Sequence, residues 1–269
     1  MFTKFLINKS ALITGSTSGI GLGIAKQLVY LGCNVVLHGI CYDNDSANQM
    51  LAIKNEVQEI NQDAKVELIL TDLSMESGVN ELVSFAHQCF GTIDIVINNA
   101  GIQYLRPIEL FEPEMWDKIM NIMAKASFMI IQKCIGGMRT KQWGRIINIS
   151  SVHGLVASVE RAAYVSAKHA LVGLTKLTAL ETAKNGITCN AICPGFVRTA
   201  LIDEQIKRRQ DMYNITKAEA EKKLLSEKQP SERFVEIQEI AALISFLCSD
   251  LAQSITGTAI PIDGGWTAQ

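Results

Sequence analysis

The sequence predicts an α/β fold: a single domain, residues 1–269, built on a doubly wound parallel sheet. Three observations carry that expectation. Short apolar runs alternate with helical patterns from one end of the chain to the other, as right-handed strand–helix–strand crossovers require. Several of the runs are apolar on successive residues, as in strands covered on both faces. The 269 residues, 48% hydrophobic and 19% charged, supply one full-sized core. No repeat, low-complexity tract or Pro/Gly linker divides it.

The strands expected in order are Ala11 to Thr14, Val35 to His38, Val66 to Leu70 and Ile93 to Asn98, then Arg145 to Ile149, Ile187 to Ile192 and Ala259 to Ile262. Between them fall helical patterns at Gly19 to Leu31, Ala47 to Asn61, Asn80 to Cys89, Trp116 to Arg139, Ala162 to Thr182 and Glu236 to Ser249. One segment, Thr199 to Gln229, breaks the rhythm. It is polar and charge-rich, with a thin apolar stripe through Ile202, Ile206, Met212, Ala218, Leu224 and Leu225. It leaves the strand that ends at Ile192, on the carboxyl edge where open α/β sheets place their sites. That position favours a helical lid over a surface decoration.

Composition excludes several functions. A net charge of −2 implies no large basic surface for nucleic acid. The densest basic run, Lys207-Arg208-Arg209, is matched by Asp203, Glu204 and Asp211 and reads as a solvated helix face. The seven cysteines are scattered, odd in number and mostly inside apolar patterns. That points to reduced, buried thiols rather than a disulfide framework. Cys189 and Cys193 lack the paired spacing of a zinc site, so no metal is expected. Met1 to Phe5 carries no signal-peptide pattern, and no apolar run approaches the ~18 residues of a membrane span. A soluble cytoplasmic protein is expected.

Two stretches carry chemistry. Thr14-Gly15-Ser16-Thr17-Ser18-Gly19-Ile20-Gly21 follows the first strand and opens the first helix. Gly15 suits a tight turn, Gly19 lets backbone approach a diphosphate, and Gly21 allows close helix–strand packing. The helix N-terminus offers free N–H groups and its positive dipole end to phosphates. Further on, Tyr164 and Lys168 stand four apart in a helical pattern, hence on one face. A phenol has a reference pKa of about 10. A fixed ammonium beside it favours the phenolate, so such a pair can exchange protons near neutral pH. Ser151, thirteen residues before Tyr164, follows a buried strand.

Thr-Gly-x-x-x-Gly-x-Gly, Asn98-Asn99-Ala100-Gly101, Ser151, Tyr164-x-x-x-Lys168 and Pro194-Gly195 together resemble the short-chain dehydrogenase/reductase family, in its order and spacing. The resemblance spans nearly the whole chain. It implies a Rossmann fold, a nicotinamide cofactor and a catalytic set of Ser151, Tyr164 and Lys168. The cofactor would meet Gly15, Thr17, Ser18, Gly19, Ile20 and Gly21 at its phosphates. Asp72 and Leu73 would lie beside its adenine, and Asn99 and Gly101 beside the nicotinamide-side ribose with Tyr164 and Lys168. Pro194, Val197 and Thr199 would flank the nicotinamide. The turn after the second strand reads His38-Gly39-Ile40-Cys41, with Asp43 and Asp45 slightly too late for the adenosine ribose. No Arg or Lys stands there to pair a 2′-phosphate, and Ser18 precedes Gly19, so NAD is expected.

Within the family, Asn99 to Gln103, Ser151 to Ser158, Cys189 to Gly195, Glu227 to Ser231 and Asp263 to Trp266 look like the bacterial D-3-hydroxybutyrate dehydrogenases. That resemblance implies reversible, NAD-dependent oxidation of a small hydroxy acid by a homotetramer. Gln103, His153, Arg161 and Gln205 would hold the carboxylate beside Ser151 and Tyr164, with Phe196 and Trp266 as apolar walls. A four-carbon acid has little apolar surface, so charge-assisted hydrogen bonds must supply its binding. The rival readings are a related hydroxy or keto acid, an acyl substrate, or a catalytically impaired cofactor-binding protein. Two departures bear on them. The subgroup carries Lys where this chain has Arg161, which keeps the charge but offers a planar fork. The family also places an Asn in the long helix, in Asn-x-Asn-Leu-x-x-x-Phe, and counting back from Phe128 puts Met123 there. A thioether cannot donate a hydrogen bond. Asn121 does not replace it, because two helical positions differ by roughly 200° in direction.

Overall fold

The computed structural model describes residues 4–41 and 43–269. The expectation about the extreme N-terminus therefore falls partly outside the described residues, at positions 1–3. Among the described residues, seven parallel strands form one sheet in the order β3-β2-β1-β4-β5-β6-β7. They are β1 (Ser10–Ile13), β2 (Asn34–Gly39), β3 (Val66–Leu70), β4 (Ile95–Asn98), β5 (Gly144–Ile149), β6 (Ile187–Pro194) and β7 (Ala259–Ile262). The doubly wound α/β expectation holds. The order reverses between β1 and β4, which opens a crevice at the carboxyl edge.

Alternation along β1 explains the two layers. Ala11 and Ile13 face the core beneath α1 (Gly19–Tyr30), α2 (Asn44–Glu59) and α9 (Ile237–Cys248), with Ile24, Leu28, Ile240 and Ile244 packed on them. Leu12 faces the opposite core, filled from α3 (Glu76–Phe90), α5 (Ala126–Lys141) and α6 (Ala162–Thr182) by Leu82, Ile130, Cys134 and Ala179. Both layers fully cover the central strands, which is why those runs are apolar on successive residues.

Besides α3, which starts at Glu76 ahead of Asn80, three local outcomes differ from the sequence reading. Helix α2 starts at Asn44, ahead of Ala47, because Asp43 caps it and accepts Ser46 N–H at 2.7 Å. The long helix expected from Trp116 to Arg139 is α4 (Pro113–Met120) and α5, joined by a π-helical turn at Asn121–Lys125. There the Ala126 N–H reaches back to the Asn121 carbonyl, the wider winding that often marks functional sites. The third outcome concerns the insertion, which is more than a thin stripe. It forms α7 (Ala200–Tyr213) and α8 (Lys217–Ser226), and Ile202, Ile206, Ala220, Leu224 and Phe234 make a small core of their own. Arg198 grips the Glu221 carboxylate through two nitrogens at 2.8 and 3.1 Å. The two ends of the insertion meet where Val197 pairs with Val235.

Among the cysteines, 33, 134, 189, 193 and 248 are buried thiols as expected, whereas Cys41 is exposed and Cys89 half-buried. Among the described residues no helix is long and apolar enough to cross a membrane.

Candidate active site

The crevice at the sheet's switch point begins with a turn clamped from both sides. Gly15 has φ of 60°, and a Cβ there would lie 3.0 Å from the Ala100 Cα. Thr14 Oγ1 accepts the N–H groups of Asn99 and Ala100 at 2.9 and 3.0 Å. Asn99 Nδ2 donates to the Thr14 and Gly15 carbonyls, both at 2.9 Å. The Asn99 amide thus holds the turn, leaving that residue's remaining atoms to line the crevice. Gly21 packs inward, where a Cβ would meet the Gly15 carbonyl at 2.3 Å. The close approach is to the turn itself rather than to a strand, and Gly21 does not line the cleft.

The cleft encloses about 600 Å³. Gly15, Thr17, Ser18, Gly19 and Ile20 line it from the first turn, Asp72 and Leu73 from the end of β3, and Asn99 and Gly101 from the end of β4. Tyr164, Lys168 and Thr199 close it toward the chemistry. Ser18 stands at the N-cap of α1 without a side-chain cap bond. Pro194 and Val197 line the adjoining smaller pocket instead. His38, Gly39, Ile40 and Met50 form the far end, and Ile122 and Lys118 reach in from the π turn and α4. Position alone pointed to the residues after β2. Their side chains gave no further signal.

The smaller pocket, about 120 Å³, gathers all eight residues expected around a substrate. Gln103, Ser151, His153, Arg161 and Tyr164 form its polar side, Gln205 enters from α7, and Phe196 and Trp266 form a wall with ring centroids 4.8 Å apart. Trp266 is buried, on a loop that Asp263 fixes by accepting Gly265 and Thr267 N–H at 3.0 and 2.8 Å. Ile202 lines the pocket too, and neither motif nor charge had marked it.

The electrostatics divide the work among these groups. Arg161, at the N-cap of α6, donates to Gln103 Oε1 at 2.8 Å. His153 is buried; its Nδ1 lies 3.3 Å from Ser151 Oγ and its Nε2 2.8 Å from Ser158 Oγ. Burial pushes its imidazole down to about 4, with Arg161 and Lys168 acting in the same direction. At neutral pH His153 is therefore an uncharged hydrogen-bonding group, and Arg161 supplies the cation.

The Tyr164–Lys168 pair stands side by side as its spacing predicts, with Lys168 Nζ 5.5 Å from the Tyr164 ring centroid. Lys168 is buried, its Nζ donates to the Ile149 carbonyl at 2.6 Å, and burial pulls its ammonium down to about 7. Burial pushes the Tyr164 phenol up, opposed by hydrogen bonds from Ser151 and Gln103 and by the Arg161 charge. Those three groups favour the phenolate.

Met123 lies buried in an apolar cluster with Ile119, Ala163 and Ala167. Its Cε sits 3.2 Å from where a Cβ on Gly101 would be, and its carbonyl accepts Ser127 Oγ at 2.7 Å.

Residues 15–267 match the family profile described as enoyl-(acyl carrier protein) reductase. The chain is 46% identical to a D-beta-hydroxybutyrate dehydrogenase of Cupriavidus necator over 98% of its own length and 100% of that protein's. A second D-beta-hydroxybutyrate dehydrogenase, from Rhizobium meliloti, is 41% identical over 98% and 100%. Among solved structures, L-sorbose reductase from Gluconobacter frateurii, complexed with NADPH and L-sorbose, superposes with a TM-score of 0.91 at 27% identity, covering 100% of both chains.

Proposed function

The chain belongs to the short-chain dehydrogenase/reductase family of oxidoreductases, and we propose that it interconverts D-3-hydroxybutyrate and acetoacetate with NAD. The observation that carries this reading is the pocket where Arg161, Gln103, Ser151 and Tyr164 converge in about 120 Å³. One end is cationic, the other carries an acid/base group, and the volume suits a short hydroxy acid. The names of the two bacterial relatives support the same substrate.

The cleft fits a dinucleotide. Its turn carries Gly15 and Gly21, where a Cβ would crowd the backbone, and Gly19 at a φ of 52°, and α1 points its N-terminus into it. A nicotinamide bound there would supply the hydride acceptor. Beside β2 the lining is His38, Gly39, Ile40 and Met50, with no cation to pair a 2′-phosphate. The cleft's lysines, Lys118 and Lys168, come from α4 and α6. NAD is therefore the cofactor of this reading.

In oxidation Tyr164, as phenolate, takes the hydroxyl proton of the substrate. Ser151 donates a hydrogen bond to the oxygen that becomes a carbonyl. Arg161 holds the carboxylate, with Gln103, Gln205 and neutral His153 as further hydrogen-bonding partners and Phe196 and Trp266 excluding water. Lys168 would meet the nicotinamide-side ribose. Helices α7 and α8 act as the lid, since Ile202 and Gln205 form one side of the pocket. Exposed Phe128, Leu177 and Leu180 on α5 and α6 suit the interface of a homotetramer.

NADH formation from D-3-hydroxybutyrate tests the reading, with the L-isomer and a neutral alcohol as controls and NADP in place of NAD. Turnover of the D-acid with NAD and little with the others is expected. Equal use of the neutral alcohol would reject the acid substrate, and equal or better turnover with NADP would reject the cofactor.

A further inference from the structure

His38, one residue from the end of β2, is buried between the glycine turn and the end of β3. Its backbone N–H donates to Ser16 Oγ at 2.9 Å, and its carbonyl accepts Ser16 N–H at 2.8 Å. Its ring spans the gap as well. Nδ1 lies 3.1 Å from Gly15 N, and Nε2 lies 3.0 Å from the Thr71 carbonyl oxygen. The Gly15 amide can only donate and the Thr71 carbonyl can only accept. One tautomer satisfies both: a lone pair on Nδ1 and the proton on Nε2. An imidazolium has no lone pair and would set two N–H donors against each other.

We propose that His38 is a positioning residue for the dinucleotide site, its Nδ1 lone pair holding the Gly15 turn in the shape that receives the phosphates. This rests on the reading of the cleft as a dinucleotide site. Gly15 is held by Asn99 on its carbonyl and by His38 on its amide, so the two clamps define the turn from opposite ends. The turn's φ of 60° leaves glycine free to move unless something fixes it. Burial pushes the His38 imidazole down to about 4, which keeps the ring neutral at physiological pH. The hydrogen bond to the Thr71 carbonyl and then the Asp72 charge act in the opposite direction and do not overcome it. No acidic side chain at this position is needed for the role, which is to shape the backbone rather than to touch the ribose.

Two measurements test this. Nitrogen-15 NMR of the cofactor-free enzyme at neutral pH should find His38 unprotonated at Nδ1 and protonated at Nε2; a protonated Nδ1 overturns the proposal. NADH titration followed by fluorescence should show His38→Leu, which orphans the Gly15 amide, raising the NADH Kd about tenfold or more. His38→Asn, which returns an acceptor near Nδ1, should recover most of that loss. KM for D-3-hydroxybutyrate at saturating NAD should stay within about twofold in both variants, which a general loss of packing would not allow. An unchanged Kd in His38→Leu, or no recovery in His38→Asn, overturns the proposal. Should His38→Leu fail to fold, the tautomer and the His38→Asn affinity still decide it. Failure of the wild-type enzyme to bind NADH would instead reject the dinucleotide reading itself.

Discussion

Arg161 Nη1 donates to Gln103 Oε1 at 2.8 Å, joining the N-cap of α6 to the loop that follows β4. The bond does two things. It fixes the guanidinium at the pocket and orients the Gln103 amide so that its nitrogen can serve Tyr164, whose phenolate Gln103 favours. Arg161→Met removes the cation from a half-buried site, and a hydrogen bond to a charged group contributes about 1.5–3 kcal/mol. KM for D-3-hydroxybutyrate should therefore rise roughly 10–100-fold, with KM for NAD unchanged. Arg161→Lys should lie between, because it restores charge without the fork. Steady-state kinetics on the three proteins check this, and an unmoved substrate KM would remove Arg161 from carboxylate binding.

Tyr164 is the proposed proton-transfer group, and Ser151 and Gln103 line the same pocket. Tyr164→Phe keeps the ring and its packing beside His153, whose centroid is 5.9 Å away. Turnover should fall by at least about 10²–10⁴-fold, the usual contribution of a positioned acid/base. NADH affinity should change little. Activity retained at more than a few per cent would refute the assignment.

Buried neutral histidines link stability to pH. Burial holds both His38 and His153 at about 4 in the folded protein, against 6.5 for the free side chain. The unfolded chain therefore binds protons first as pH falls, so stability is lost between about pH 6.5 and 4 and regained as pH rises through that window. Each histidine contributes a slope of up to about 1.4 kcal/mol per pH unit. Urea unfolding at a series of pH values should show the decline. His153→Asn should flatten it by roughly one such slope between pH 6 and 5; equal slopes in both proteins would show that His153 titrates normally when folded.

The sheet, its parallel sense and the gathering of the substrate residues were all legible, because strand periodicity and motif spacing report backbone position. What was not legible depends on where a side-chain donor goes once neighbours are in place. The spacing put Tyr164 and Lys168 on one face, where Nζ lies 5.5 Å from the Tyr164 ring centroid, but it gave no sign that Nζ also bonds the Ile149 carbonyl. Asp43 was judged too late for the ribose from its position alone; the structure adds that it caps α2. His38 was read only as a missing acid, since nothing in its sequence neighbourhood shows that Gly15 and Thr71 lie on either side of its ring. The π turn at Asn121–Lys125 has no composition signal at all.

That π turn sets the last prediction. Met123 puts a thioether where the family carries an amide, inside an apolar cluster with Ile119, Ala163 and Ala167 and against Gly101. Its side chain cannot pass a proton, and its carbonyl accepts a hydrogen bond from Ser127 Oγ. The outcome we propose is a slowed but active enzyme, with proton exchange behind Lys168 as the impaired step. Met123→Asn should raise kcat several-fold while lowering stability by about 1–3 kcal/mol, the typical penalty for an amide placed among apolar neighbours without full hydrogen bonding. The two effects separate cleanly when kcat is measured at saturating substrates and stability by urea unfolding. An unchanged or lower kcat in a folded, NADH-binding variant would show that Met123 does not limit the reaction.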